Sequence, residues 1–334
     1  MLFRSGPAVS LRPGPVVCIG ETMVALAPDP LGPLARADLL GVDIAGAESN
    51  VAGYLAAHGI PVSWLSAVGD DPFGDRIRAT LAARGVDVSA VRPDPSRPTG
   101  LIFKDPGPTG TRVHYYRCGS AASALGPDLL DDPAVGRAAL VHVSGITPAL
   151  SPTCRDLVDR VLSPDRGYRV SFDVNYRPAL WGSREAAATT LRTLAERADI
   201  VLVGLDEAQA LWGDGIGGPG EVRTVLPGPD ILVVKDGPVA ATAFTSAGEH
   251  TVPALTVDVV EPVGAGDAFA AGFLAGLLQG RPLEAALRLG HLTAASALRV
   301  STDHGPLPAA SAVELLLGAP PDEWRTALVE GAVR

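Results

Sequence analysis

Along most of this chain, short apolar runs that stop at glycine or a polar residue alternate with stretches whose apolar residues recur at helical spacing. "VVCIGE" (Val16–Glu21) is followed by "SNVAGYLAAHG" (Ser49–Gly59), which opens on a capping serine, and "VSWLSAVG" by "DPFGDRIRATLAARG". "ALVHVSG", "RVSFDVN", "DIVLVG" and "DILVVKDG" are separated by helical patterns opening at Ser151, Ser183 and Asp206. Asp71 before Pro72 is a helix start, with aspartate as N-cap and proline at the first helical position. Few architectures satisfy this alternation, because parallel strands need long crossovers and helices supply them. The expected fold is α/β, a mostly parallel central sheet with helices on both faces.

Two segments break the rhythm, residues 23–45 and 99–117. "TGLIFKDPGPTGTRVHYYR" reads as a hairpin across Pro106–Gly110. Both segments are assigned to a small accessory sheet, a lid that the chain enters and leaves twice. The expected organisation is a loose tail over residues 1–15, with no apolar run of the signal-peptide kind, and one domain over 16–334. After Val252 come a glycine-rich stretch and two helices, about Ala265–Gln279 and Leu283–Arg299.

Composition excludes several classes. Lys+Arg number 27 and Asp+Glu 37, a net charge of −10, with no basic run. That argues against nucleic acid and against anionic membrane surfaces. No segment is long and apolar enough to span a bilayer. Cys18, Cys118 and Cys154 are scattered, which suggests reduced thiols in a cytoplasmic protein rather than a disulfide frame or zinc site. The histidines show no metal-ligand spacing and read as surface or core residues.

The chemistry concentrates in "VEPVGAGDAFAAGFLAGLL" (Val260–Leu278). A helix opening at Gly264-Ala265-Gly266 presents the amides of Ala265, Gly266 and Asp267 as an anion site at the positive end of its dipole. Both GxxxxGK[ST] and GxGxxG are absent, so a phosphate here would be held without a P-loop lysine. Asp267 makes a poor anion ligand but a sensible base for a hydroxyl attacking phosphorus. Taken alone, the same residues also suit a tightly packed helix start with an ordinary first-turn acid.

Glu261-Pro262-Val263-Gly264-Ala265-Gly266-Asp267-Ala268-Phe269 resembles the C-terminal signature of the ribokinase-like (phosphofructokinase-B type) carbohydrate kinases. The resemblance extends over nearly the whole chain after the tail, through "VVCIGE", "AGAESNVAGYLAAHG" and "AVGDDPFGDRI". It implies a three-layer ribokinase-like fold, ATP as phosphoryl donor, Mg2+, a Gly264–Ala265–Gly266 anion hole and Asp267 as the base that activates a sugar hydroxyl.

"HYYRCGSAASALGP", "HVSGITPALSP" and "SFDVNYRPALW" are similar to the 2-keto-3-deoxygluconate kinase branch. This implies a six-carbon keto-acid substrate phosphorylated at its terminal hydroxyl. By the same resemblance Tyr115, Arg117 and Arg177 contact substrate, and Gly46 and Asn50 of the A-G-A-E-x-N stretch line its site. Arginine suits a planar carboxylate because its fork gives two parallel hydrogen bonds. Taken singly, Arg117 also reads as a solvated strand charge and Arg177 as a helix-start ion pair. Asp173 and Asn175 serve equally as strand-end turn formers, and Tyr116 reads as packing. Lys235 and Gly237, in "VVKDG", fall near the nucleotide in this family; Lys235 reads equally as a phosphate contact or a solvated strand end. The adenine is expected between the helix around Ala294–Leu298 and "DHGPLP".

The pattern departs from the family at three places. Glu261 stands where an aspartate is usual, which leaves activation by a monovalent cation such as potassium open. Ile102 replaces an aromatic substrate contact in the lid. The metal-linked N-x-x-E reads Gly204-Leu205-Asp206-Glu207, so Glu207 could hold magnesium through water or be a plain first-turn acid. The rival readings are a kinase for a neutral sugar such as fructose or ribose, a nucleoside kinase, and a non-catalytic sugar-acid-binding regulator. An exposed lid edge or face suggests a homodimer or higher homo-oligomer.

Overall fold

The computed structural model describes residues 11–30, 32–107, 110–213 and 215–327. The main sheet is built from β1 (Val16–Ile19), β4 (Val62–Leu65), β9 (Leu140–Ser144), β10 (Arg169–Asp173), β11 (Ile200–Gly204), β12 (Ile231–Asp236), β13 (Ala240–Thr245) and β14 (Gly248–Pro253). Their order is β14-β13-β12-β11-β10-β9-β1-β4. From β4 through β12 every pairing is parallel; β13 and β14 add an antiparallel hairpin at one edge. That hairpin escaped the sequence reading, although "ATAFTSAGEHTV" carries strand residues on both sides of a Ser246-Ala247 turn.

Period-two alternation along the buried strands divides the core in two. Val16 and Cys18, Ile200 and Leu202, and Ile231 and Val233 face the layer that holds helices Ala47–Ala57, Ala265–Leu278 and Leu283–Leu298. Val17 and Ile19, Val201 and Val203, and Leu232 and Val234 face the layer that holds helices Pro152–Val161, Arg184–Ala195 and Leu205–Trp212. The result is the three-layer α/β arrangement expected from the alternation.

A second sheet of four strands has the order β3-β2-β7-β8, with β2 (Met23–Pro28), β3 (Leu40–Ala45), β7 (Leu101–Gly107) and β8 (Gly110–Tyr116). Residues 108–109, at the tip of the expected hairpin, lie outside the described residues. One face of this sheet, carrying Met23, Ala25, Ala45 and Ile102, forms its own small core. Ile102 pairs with Tyr115 and Lys104 with Val113, so Ile102, Lys104 and Tyr115 share that face.

Three local expectations need correction. "VSWLSAVG" is two strands: β4 joins the main sheet, while β5 (Ala67–Gly69) pairs with β6 (Arg92–Asp94). The first helix begins at Ala47, with Gly46 rather than Ser49 before it. Of the expected tail, residues 1–10 lie outside the described residues, but residues 11–15 are docked. Leu11 is buried, and Arg12 donates to the carbonyls of Ala138 and Gly167. The expected caps are in place: Asp71, Ser151 and Ser183 accept from the backbone N–H of Gly74, Cys154 and Ala186.

Candidate active site

The carboxyl ends of the parallel strands deliver the polar residues, as open α/β sheets do. β10 ends in Asp173, and the chain turns through Asn175 at φ 40°, a left-handed conformation that asparagine tolerates. β12 delivers Lys235. Opposite them, helix Ala265–Leu278 starts at Gly264 with φ 84°, so glycine is required there on backbone grounds; a Cβ would also meet the Asp303 carbonyl at 3.0 Å.

Asp267, in the first turn of that helix, is half-buried and held by two amides. Asn50 Nδ2 donates to its Oδ2 at 2.9 Å and Asn175 Nδ2 to its Oδ1 at 3.2 Å. Burial is the main cause that pushes its pKa up to about 7, helped by the Asp173 charge. The Asn50 hydrogen bond, Arg177 and Lys235 pull the other way. Asn50 and Asn175 are themselves buried, and each has a side-chain carbonyl oxygen with no protein partner among the described residues.

Lys235 is not a solvated strand end. Its side chain is 17% exposed, and its Nζ donates to Asp173 Oδ2 at 2.8 Å. Burial opposes its charge, but Asp173, Glu207 and Asp267 outweigh it and hold its pKa above the ordinary lysine value. A Cβ built on Gly266 would lie 3.5 Å from this ammonium, which places a fixed cation beside the helix N-terminus. The Ala265 N–H makes only a long bond, 3.4 Å, to Pro262 O. Gly237 supplies the turn after β12 at φ 44°.

Two candidates are differently engaged than the sequence suggested. Arg117 is buried, and its Nε donates to Glu21 Oε2 at 2.6 Å, with Nη2 on the same oxygen. Ser120 Oγ holds the other Glu21 oxygen. One edge of the guanidinium, Nε and Nη2, is therefore matched internally, so Arg117 is not a solvated charge. Glu207 accepts from the backbone N–H of Gly204 at 2.9 Å and of Tyr176 at 3.0 Å. Both oxygens serve to fix the turn between β10 and the helix after β11. Among the described residues no group of three His, Cys, Asp or Glu side chains converges as a metal site. The donor set does not fit a magnesium held by the protein itself.

Arg177 keeps an exposed side chain, donates to Tyr176 O at 3.1 Å and stands 3.6 Å from Glu207. Tyr115 is 38% exposed, with the Arg117 guanidinium 5.7 Å from its ring centre. Gly46 permits a close chain crossing: a Cβ there would come within 2.5 Å of the Glu21 carbonyl. Gly46→Ala is therefore expected to destabilise the protein by more than ~1 kcal/mol, since it adds backbone overlap to ordinary overpacking. Urea unfolding measures this, and an unchanged midpoint would show that the crossing relaxes without cost.

The sequence reading missed four residues. Glu21 stands at the end of β1, a position where an acid after glycine is itself a signal. Buried Glu48 accepts on Oε1 from Ser144 N, Ser144 Oγ and Thr147 Oγ1, pinning the start of helix Ala47–Ala57, and hence Asn50, onto the end of β9. Lys104 and Asp303 form a buried ion pair at 3.0 Å, and Asp303 also accepts from Asn50 Nδ2 at 3.3 Å. No local pattern marks the last two.

A family model described as "pfkB family carbohydrate kinase" matches residues 15–310. The 2-dehydro-3-deoxygluconokinase of Thermoproteus tenax is 36% identical over 310 residues, covering 91% of this chain and 94% of that protein. The enzyme of the same name from Bacillus subtilis is 34% identical over 308 residues, covering 91% and 95%. The crystal structure of a PfkB protein from Polaromonas sp. JS666 is similar with a TM-score of 0.79 at 36% identity, covering 85% of this chain and 95% of that one.

Proposed function

This chain belongs to the pfkB family of carbohydrate kinases, and we propose that it transfers the γ-phosphoryl group of ATP to the terminal hydroxyl of 2-keto-3-deoxygluconate. The observation that carries the reading is Asp267: a carboxyl held by two buried amides, poised near neutral pH, at a helix N-terminus beside Lys235. Ionised Asp267 takes the proton of the attacking hydroxyl. The amides of Gly264–Asp267 and the Lys235 ammonium stabilise charge on the transferring phosphoryl group. The buried carbonyl oxygens of Asn50 and Asn175 are acceptors for substrate hydroxyls. The small sheet acts as a lid that excludes competing water. Magnesium, if carried in with the nucleotide, would offset phosphate charge there.

The substrate carboxylate falls to Arg177, the exposed cation on this rim, with Tyr115 on the lid face that carries Lys104. A charge-assisted hydrogen bond is worth ~1.5–3 kcal/mol, so Arg177→Leu should raise KM for the keto-acid by about 10-fold or more and leave any turnover of fructose little changed. ATP turnover with 2-keto-3-deoxygluconate, its galactonate epimer, fructose and ribose tests the whole reading. Turnover of fructose or ribose alone would favour a neutral-sugar kinase, a reading to which the internally paired Arg117 lends weight. Keto-acid binding without turnover would favour a regulator.

The assembly is proposed to be a homodimer, or a multiple of one, formed through the lid. Leu39, Leu40 and Val42 on or beside β3, and Tyr116 on β8, leave apolar surface exposed. Tyr116→Glu with Val42→Glu should shift the mass in light scattering to the monomer; a wild type that is already monomeric sinks this proposal.

A further inference from the structure

A polar chain runs through the site from the small sheet to the acid. Lys104 Nζ on β7 donates to Asp303 Oδ1 at 3.0 Å; Asp303 Oδ2 accepts from Asn50 Nδ2 at 3.3 Å; the same amide donates to Asp267 Oδ2 at 2.9 Å. Lys104 and Asp303 are nearly sealed from solvent, with side chains 8% and 6% exposed. The Asn50 amide therefore spends its two hydrogens on two carboxylates, of which only Asp303 has a lysine of its own.

From this geometry we propose that Lys104 is a positioning residue for phosphoryl transfer: by neutralising Asp303 it leaves the Asn50 amide committed to Asp267, so the acid is tuned only while strand β7 is seated. The proposal rests on the reading of Asp267 as the base.

The physical argument turns on what Asp303 does without its lysine. A buried carboxylate with no counter-charge is costly. It would draw the Asn50 amide, which it already shares with Asp267, towards itself. That loosens the Asn50–Asp267 bond, and that bond helps keep Asp267 ionised. The other charged and titratable groups around the chain are Asp173, Lys235, Arg177 and Tyr54 near Asp267, with Arg84 and Tyr54 near Asp303. Among them Lys104 alone forms an ion pair with Asp303 within the described residues. Because Lys104 and Asp303 lie 199 residues apart, the pair also ties the small sheet to the loop beyond helix Leu283–Leu298.

The test is a set of pH–rate profiles, from about pH 5.5 to 9, on the full-length protein with ATP and 2-keto-3-deoxygluconate. The variants are Lys104→Met, Lys104→Arg, the double Lys104→Met/Asp303→Asn, and Asp267→Asn. Lys104→Met should lower kcat about tenfold and move the acid limb of kcat upward by about one pH unit. Lys104→Arg should return the limb to its wild-type position, and so should the double variant, which removes the stranded anion. If Lys104→Met does not fold, Lys104→Gln carries the same comparison. A Lys104→Met enzyme that melts lower but keeps its acid limb and kcat makes Lys104 a purely structural residue and overturns the proposal. A double variant whose limb stays displaced overturns it as well. Asp267→Asn separates the two failures: full activity there removes the base itself, whereas an inactive Asp267→Asn beside an unmoved Lys104→Met limb removes only the role of Lys104.

Discussion

Asp267→Asn is expected to lower kcat by about 10²–10⁴-fold, the range that a positioned general base supplies, with a much smaller change in substrate KM. In the wild type, kcat/KM should rise with pH through about 7, where Asp267 loses its proton, and then level. The same substitution should stabilise the fold. Asp267 has a raised folded pKa, about 7 against an ordinary 3.8, so the native state keeps a proton that the unfolded chain releases. Stability therefore falls as pH rises from about 4 to about 7, and the cost is fully present above 7. A shift of three units corresponds to ~4 kcal/mol at most. Solvent at the half-buried carboxyl reduces that, and so does the one amide donor that would face the new NH2 group. A gain of about 1–2 kcal/mol at pH 8, absent at pH 4, is expected in urea unfolding at the two pH values. A variant that is inactive yet no more stable would mean that burial of the charge costs the native state nothing.

Glu21→Ala is expected to destabilise the protein by about 3–5 kcal/mol, because it leaves the Arg117 guanidinium buried without its counter-ion. Ser120 loses its acceptor at the same time. Removing both charges in Glu21→Gln/Arg117→Leu should recover most of that loss, since the desolvation of two ions disappears with their attraction. Denaturant midpoints for Glu21→Gln, Arg117→Leu and the double close the cycle, with Glu21→Ala measured beside it. The result bears on function: a stable, active double variant with unchanged keto-acid KM leaves Arg177 as the carboxylate ligand. A selective loss of the keto-acid would return Arg117 to the substrate.

The elements were legible where the signal is local. Short apolar runs that stop at glycine or a polar residue located the parallel strands, and Asp71, Ser151 and Ser183 marked helix starts because a cap and its amide lie within one turn. "VSWLSAVG" misled because two short strands in one extended run have the same local pattern as one. The first helix begins at Ala47 because Ser49 does not cap it: its hydroxyl turns back and donates to the Gly46 carbonyl at 3.0 Å.

What the sequence by itself determined was the α/β alternation, the glycine-rich start of the helix carrying Asp267, and the family to which those motifs belong. Tertiary structure alone decided which charge each cation meets. Arg117 finds Glu21 across 96 residues, Lys235 finds Asp173 across 62, and Asp267 takes its amide from Asn50 across 217. The reason is physical. Periodicity and capping are short-range properties of neighbouring residues, whereas the pKa of a buried acid and the partner of a buried arginine depend on desolvation and on charges that only the folded chain brings within a few ångströms.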